Sequence, residues 1–296
     1  MNRRYFLAQL TSLVSLVSSV SARNAYAAKK FLIIGIFPRR NIKTTYHLFT
    51  PLAEYLSEVL QQEVRLETTK TFSAFWDAVK AKKYDLVHYN QYHYIVSHLH
   101  YGYDVILKNK ELGKSTISGS LIVRKDSGFE KVSDLKGKVI LFGGDKRAMQ
   151  SYISATWLLK NGGLMKGDYK ERFAINPLNT IISTFFKRAD ASGSGDVVMH
   201  LDNVKKRIDI SQLKFLAKTE PVPHLPWAVN TDLADKKISK IKRALIDLSE
   251  TKEGNNILRN AKLDALVPAT DAEYDMHRKI ITDVYGSDYG LDNLKR

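Results

Sequence analysis

The chain has 296 residues, 44% hydrophobic and 26% charged, with 16 glycines and 7 prolines. These are globular proportions, and they exclude a disordered or collagen-like chain. It has no cysteine, which excludes disulfides, thiolate nucleophiles, cysteine-held metal centres and a lipid-modified N-terminal cysteine; 46 Lys+Arg against 31 Asp+Glu leave a net charge of +15.

Residues 1–27 contain no acid and three arginines, Arg3, Arg4 and Arg23. An apolar, small-residue run covers 7–20, and Ala25-Tyr26-Ala27 offers small residues where a signal peptidase reads. This pattern predicts a signal peptide, since the run is too short to span a bilayer. The stretch Asn2-Arg3-Arg4-Tyr5-Phe6-Leu7 resembles the twin-arginine export signal; the alternative is general secretion. Cleavage near Ala27 leaves a soluble mature chain from about Ala28, in the periplasm by either route. Its charge, without those three arginines, is +12. That charge fits a small anionic ligand or an acidic surface. The location and the scattered lysines argue against nucleic acid.

The run 31–37 (FLIIGIF) reads as a buried parallel strand. After the loop 38–41, Thr50-Pro51 is expected to open a helix, with proline in the first helical position. Residues 64–68 alternate as a strand, Phe72, Phe75, Trp76 and Val79 mark a second helix, and 84–89 give a third strand. This order predicts a parallel, doubly wound α/β sheet. Further strands fall at 120–124 and 139–142. Gly143-Gly144 breaks the second of these, and residues 149–160 follow at helical spacing up to Gly162-Gly163. A short helix is expected around 181–189. Residues 192–195 (SGSG) read as a flexible loop, 214–217 as a strand, 221–226 as a stiff connection, and the remainder as helical. Thr270 and Glu273 have capping-box spacing. Two α/β lobes result, 28–119 with 217–296 and the inserted 120–216, joined by two crossing strands around a hinged cleft.

The sequence lacks GxSxG, HExxH and P-loop signatures, and nothing in it asks for a catalytic role or a cofactor. His88, His93, His98 and His100 lie among many tyrosines. Such imidazoles can hold zinc or copper, but the expected arrangement is an amphipathic helix with ring tips in water and no metal. Arg39 and Arg40 lie just past the first strand, where open α/β sheets bind ligands and where a guanidinium can fork onto an oxyanion. Tyr89, Asn90 and Gln91 end the third strand at the same rim. Arg147, Ala148, Met149, Gln150 and Ser151 open the helix after Gly143-Gly144, so their N–H groups are anion-site candidates.

The order of Ile34-Gly35-Ile36-Phe37-Pro38, Thr50-Pro51-Leu52-Ala53-Glu54-Tyr55-Leu56, Tyr84-Asp85-Leu86-Val87-His88-Tyr89, Val123-Arg124-Lys125-Asp126-Ser127, Asp134-Leu135-Lys136-Gly137-Lys138 and Phe142-Gly143-Gly144-Asp145 resembles a known family. It is that of the phosphate/phosphite/phosphonate-binding proteins of bacterial ABC transporters, over nearly all of the mature chain. The resemblance implies a two-lobed type II periplasmic-binding-protein fold and a cleft that closes on an oxyanion. It also implies a monomer that docks onto an inner-membrane ABC permease, with Tyr89 and the helix start at 148–151 on the ligand. A sensor histidine kinase is the alternative partner, and an organic molecule the alternative ligand. Two departures stand out. Ala148-Met149-Gln150 replaces the family's hydroxyl residues, leaving backbone amides, Gln150 and Ser151 as donors. Pro177 and Leu178 stand where a His and an acid are usual, which argues against an aminoalkylphosphonate; Thr180 and Asp196 are the polar candidates nearby.

Overall fold

Residues 30–291 are described by a computed structural model; the export segment read at 1–27 lies outside the described residues. The chain begins β1 (Phe31–Ile36), α1 (Ile42–Leu60), β2 (Glu63–Thr68), α2 (Phe72–Lys80), β3 (Leu86–His88), α3 (Gln91–Tyr101) and β4 (Tyr103–Lys110). It continues with β5 (Thr116–Ile117), β6 (Gly119–Arg124), β7 (Val139–Gly143), a π-helical turn (Met149–Ile153) running into α4 (Ser154–Asn161), β8 (Lys170–Ala174), α5 (Pro177–Phe185), β9 (Ala191–Gly195), α6 (Asp202–Lys205) and β10 (Leu213–Lys218). It returns through β11 (Val222–Pro223), β12 (Pro226–Asn230), α7 (Asp235–Asp247), α8 (Lys252–Ala261), β13 (Ala265–Pro268) and α9 (Asp275–Tyr285).

Two mixed sheets result. The first has the order β13-β4-β12-β3-β1-β2 and the second β10-β6-β9-β7-β8. As predicted, β1 runs parallel to β2 and β3, and its side chains are buried on both faces. The chain crosses between the sheets twice, at β5 and β11, which pair with each other. Among the described residues, no helix is long and apolar enough to cross a membrane.

Three expectations are corrected. The final stretch is not all helical: β12 lies between β3 and β4, and β13 pairs with the far side of β4. The segment 192–195 is no loop but part of β9, between β6 and β7. Its glycines are needed for closeness rather than flexibility. A Cβ on Gly193 would lie 2.3 Å from the Ser151 carbonyl oxygen, so the π turn packs directly on the strand. Third, α1 opens at Ile42, not at Thr50-Pro51. Asn41 caps it, its Oδ1 accepting from the Thr44 N–H at 2.9 Å, and Pro51 falls inside.

A proline inside a helix leaves the carbonyl four residues earlier without its donor. Here Asn260 of α8 supplies one: its Nδ2 donates to the His47 oxygen at 2.9 Å and to Leu48 at 3.0 Å. Asn260→Ala is expected to cost about 1 kcal/mol, because water reaches part of this contact. A lowered urea midpoint at unchanged slope checks it.

The apolar core is continuous across both sheets. One cluster joins Ile33 and Val87 of the first to Leu121 and Phe142 of the second, through Tyr92 and Ile95 of α3, Met149 and Ile153 of the π turn, and Ile280 and Ile281 of α9. The Thr270–Glu273 capping box forms as expected just before α9.

Candidate functional site

Arg39 and Arg40 follow β1 and meet a carboxylate that no local pattern marks. Glu111 stands one residue past β4, and its Oε1 lies 3.4 Å from Arg39 Nη2, with side-chain exposures of 8% and 25%. Glu111 is held from behind: Trp227 Nε1 donates to Asn109 Oδ1 at 2.8 Å, and Asn109 Nδ2 donates to Glu111 Oε1 at 2.7 Å. Burial opposes ionisation of Glu111. Arg39, His224, Asn109 and Arg40 together outweigh it and hold the carboxyl below its ordinary value. Arg40 is half-buried. Repulsion from Arg39, with burial second, lowers its pKa to about 9 against the attraction of Glu111. Arg39 is the ion-pair partner of Glu111 and Arg40 only feels its charge, so two guanidinium groups face one carboxylate and the cluster carries uncompensated positive charge.

Two histidines border this cluster. His88 stacks on Trp227 at 4.5 Å, and its Nδ1 donates to the Pro226 carbonyl at 3.3 Å. His224 Nδ1 accepts from the Leu225 N–H at 2.8 Å, so its Nε2 carries the proton. That Nε2–H is buried and has no partner, while Glu111, Arg39 and Asp196 all act on the ring. Burial holds both imidazoles neutral, with Arg39 the next cause for His88 and Glu111 opposing for His224. Asp196 accepts from the Ser118 N–H at 3.0 Å and pairs with Lys218 at 3.2 Å. The structure thus gathers Arg39, Arg40 and Asp196 around Glu111 and His224. Sequence reasoning missed Glu111 and gave His224 no role; the prolines around His224 were its only mark.

Most of the remaining candidates have partners of their own, although the Tyr89 hydroxyl and the Arg147 Nε are buried without a well-aligned one. Tyr89 does not face the cluster. His88 does, and successive residues of an extended strand point to opposite faces. Tyr89 is instead fully buried against Phe75, Tyr94 and Tyr103. Asn90 caps α3 through the His93 N–H, and its Nδ2 donates to the Arg147 carbonyl at 3.3 Å. Gln91 Nε2 donates to the Pro223 carbonyl at 3.2 Å. Arg147 pairs with Asp145 at 3.2 Å, and the Ala148 N–H donates to the Asp145 carbonyl at 3.0 Å. Met149 is core. Gln150 Nε2 donates to His277 Nε2 at 3.3 Å, and Ser151 Oγ donates to the Gly143 carbonyl at 2.7 Å. Thr180 is fully buried and donates to the Pro177 carbonyl at 2.7 Å. Side chains at 149–151 and 180 are therefore spent on structure, while backbone N–H groups of the π turn and the buried, unpartnered Nε of Arg147 remain as donors there.

The histidine-rich helix keeps only some of its tips wet: His100 is exposed and His98 half-buried, but His93 is not. His93 is fully buried, stacked on Phe72 at 5.4 Å and packed against the tilted ring of Trp76, with neither ring nitrogen hydrogen-bonded. His98 instead reaches Asp104 at 2.8 Å and Asp271 at 3.3 Å. Among the described residues, no group of three His, Asp or Glu side chains is placed to hold a metal ion.

Residues 34–274 match a family model described as ABC transporter, phosphonate, periplasmic substrate-binding protein. Among solved structures, the chain is similar to the binding protein component of an ABC phosphonate transporter from Pseudomonas aeruginosa. Identity is 14%, the TM-score 0.73, and coverage 90% of this chain and 93% of that one. A Prochlorococcus marinus protein in complex with methylphosphonate aligns at 19% identity and TM-score 0.74, over 87% and 99% of the two chains. A chloride-bound protein of Xanthomonas citri aligns at 13% identity and TM-score 0.76, over 90% and 100%.

Proposed function

The chain belongs to the family of periplasmic substrate-binding proteins of phosphonate ABC transporters, and we propose that it captures a small phosphorus oxyanion at the Arg39–Arg40 cluster for delivery to an inner-membrane permease. The observation that carries this reading is the pair of guanidinium groups, of which only Arg39 is paired to Glu111, beside the unpartnered Nε2–H of His224. A phosphonate or phosphite supplies the missing negative charge and accepts from all three groups. On this reading Asp196 steadies the rim, and the π-turn amides face the ligand from the second lobe. The lobes, 28–119 with 217–296 and 120–216, close about the crossing at β5 and β11. Ligand shifts the open–closed population. The chain acts as an exported monomer without catalysis, and family membership favours a permease over a sensor kinase as its partner.

Calorimetric titration of methylphosphonate and phosphite tests the reading. A charge-assisted hydrogen bond contributes about 1.5–3 kcal/mol, so Arg40→Ala should weaken binding roughly 10- to 100-fold. Arg39→Ala should weaken it further, because it also leaves Glu111 unpaired beside the anion. Wild-type affinity in both variants removes the cluster from the site. No heat with any phosphorus oxyanion sinks the proposed ligand class.

A further inference from the structure

A second basic cavity lies away from that cluster, against the helix that follows the π turn. Its volume is about 390 Å³, within the range of small-molecule sites. Tyr152, Thr156 and Lys160 recur every four residues and so line one face of the continuous helix. Lys146 and Lys166 close the cavity from the loops after β7 and before β8, and Val284 and Tyr285 come from the end of α9.

Three features point to a ligand. Lys146, Lys160 and Lys166 all reach the cavity, and none forms an ion pair with a carboxylate among the described residues; Lys160 Nζ donates to the Asp283 backbone carbonyl at 2.7 Å. The nearby carboxylates already have partners. Glu171 accepts from Tyr152, Asp283 from Trp157 and Lys279, and Asp168 from the Met165 N–H. Finally, the Tyr169 hydroxyl, in a residue 5% exposed, and Thr156 Oγ1 are buried without a well-aligned hydrogen bond, close to each other and with Glu171 acting on Tyr169. A buried hydroxyl without a well-made hydrogen bond is costly, and two of them line one cavity with three ammonium groups, a set richer in donors than in acceptors. Leu164 and Val284 add apolar wall.

We infer that this cavity is a second ligand site, which takes an organic phosphate. The phosphate would be held by the three lysines and the hydroxyls, and the apolar body would lie on Leu164 and Val284. Lysine serves here as a point charge without the planar fork of arginine, which suits a phosphate approached from several sides.

Phenyl phosphate is the probe, titrated by calorimetry into the mature protein, with phenol and inorganic phosphate as partial ligands. We expect binding at least tenfold tighter than either partial ligand. It should be unchanged by Arg40→Ala and weakened at least tenfold by the double variant Lys160→Ala/Lys166→Ala. Both lysines are exposed, so that variant should keep wild-type thermal stability and wild-type affinity for methylphosphonate at the first cluster. Thr156→Val should weaken phenyl phosphate while leaving every charge in place. The inference is overturned if phenyl phosphate does not bind wild type, if the lysine variant binds it normally, or if Arg40→Ala abolishes binding. The last outcome would put the probe in the first cluster. Loss of methylphosphonate binding alone would instead count against the proposed function and leave this cavity standing.

Discussion

Gly193→Ala is expected to cost about 3 kcal/mol or more, and Gly193→Val to prevent the second sheet from forming. A Cβ there would lie 2.3 Å from the Ser151 carbonyl oxygen, and 2.8 Å from both the Ala155 Cβ and the Phe142 ring. The first obstacle is backbone, which cannot rotate away as a side chain can. The strand cannot retreat either, because β9 is hydrogen-bonded to β6 on one side and β7 on the other. Overpacking a tight core usually costs about 1–3 kcal/mol, and this site has less room than most. At roughly 2–4 °C per kcal/mol for a chain of this size, the alanine variant should melt about 6–12 °C lower. A melting point within 2 °C of wild type would show that the π turn can lift off the strand.

The same glycine shows why part of the fold was illegible. Ser-Gly-Ser-Gly has the composition of a linker, and only a helix arriving 40 residues earlier in sequence makes it a central strand. Pro51 misled for a related reason: the donor that excuses it inside α1, Asn260, is supplied from α8. The opening βαβαβ unit was legible, because β1 buries both faces and its apolar run is unbroken. At the site, Arg39 and Arg40 could be placed from the rule that ligands gather beyond strand ends. Glu111 could not, since its link to Arg39 spans 72 residues and follows no local period. Tyr89 lies one residue along from His88, so its ring enters the aromatic core rather than the arginine cluster.

Acidification should destabilise the protein well before its carboxylates titrate. His93 and His277 are buried, and burial lowers both to about 3. Arg147 adds to the effect on His93 and Arg278 to that on His277. Both are neutral when folded and take up a proton, on unfolding, below about pH 6.5. The unfolded state then binds more protons, so stability falls as the pH drops below that value, and continues to fall until the folded value near 3. Each contributes a little over 1 kcal/mol per pH unit, or about 3 kcal/mol together at pH 5.5. The melting point should therefore fall roughly 6–12 °C between pH 7.5 and 5.5. His88 and His224, shifted in the same direction, add to the slope. His93→Phe keeps a ring against Phe72, removes two unpartnered nitrogens, and should remove its share of the pH dependence. A flat melting point across that range would mean that the imidazoles gain protons without unfolding.

The place of β12 in the first sheet dictates an order of events during synthesis. β3 and β4 are not neighbours; the gap between them is filled by a strand that leaves the ribosome more than a hundred residues after β4 ends. At about 5–20 residues per second, that delay is on the order of ten seconds. Until then the N-terminal third holds two unjoined pieces of sheet, with the edges of β3 and β4 unpaired. The nascent chain therefore stays unfinished, and open to chaperones, until the second sheet has been made.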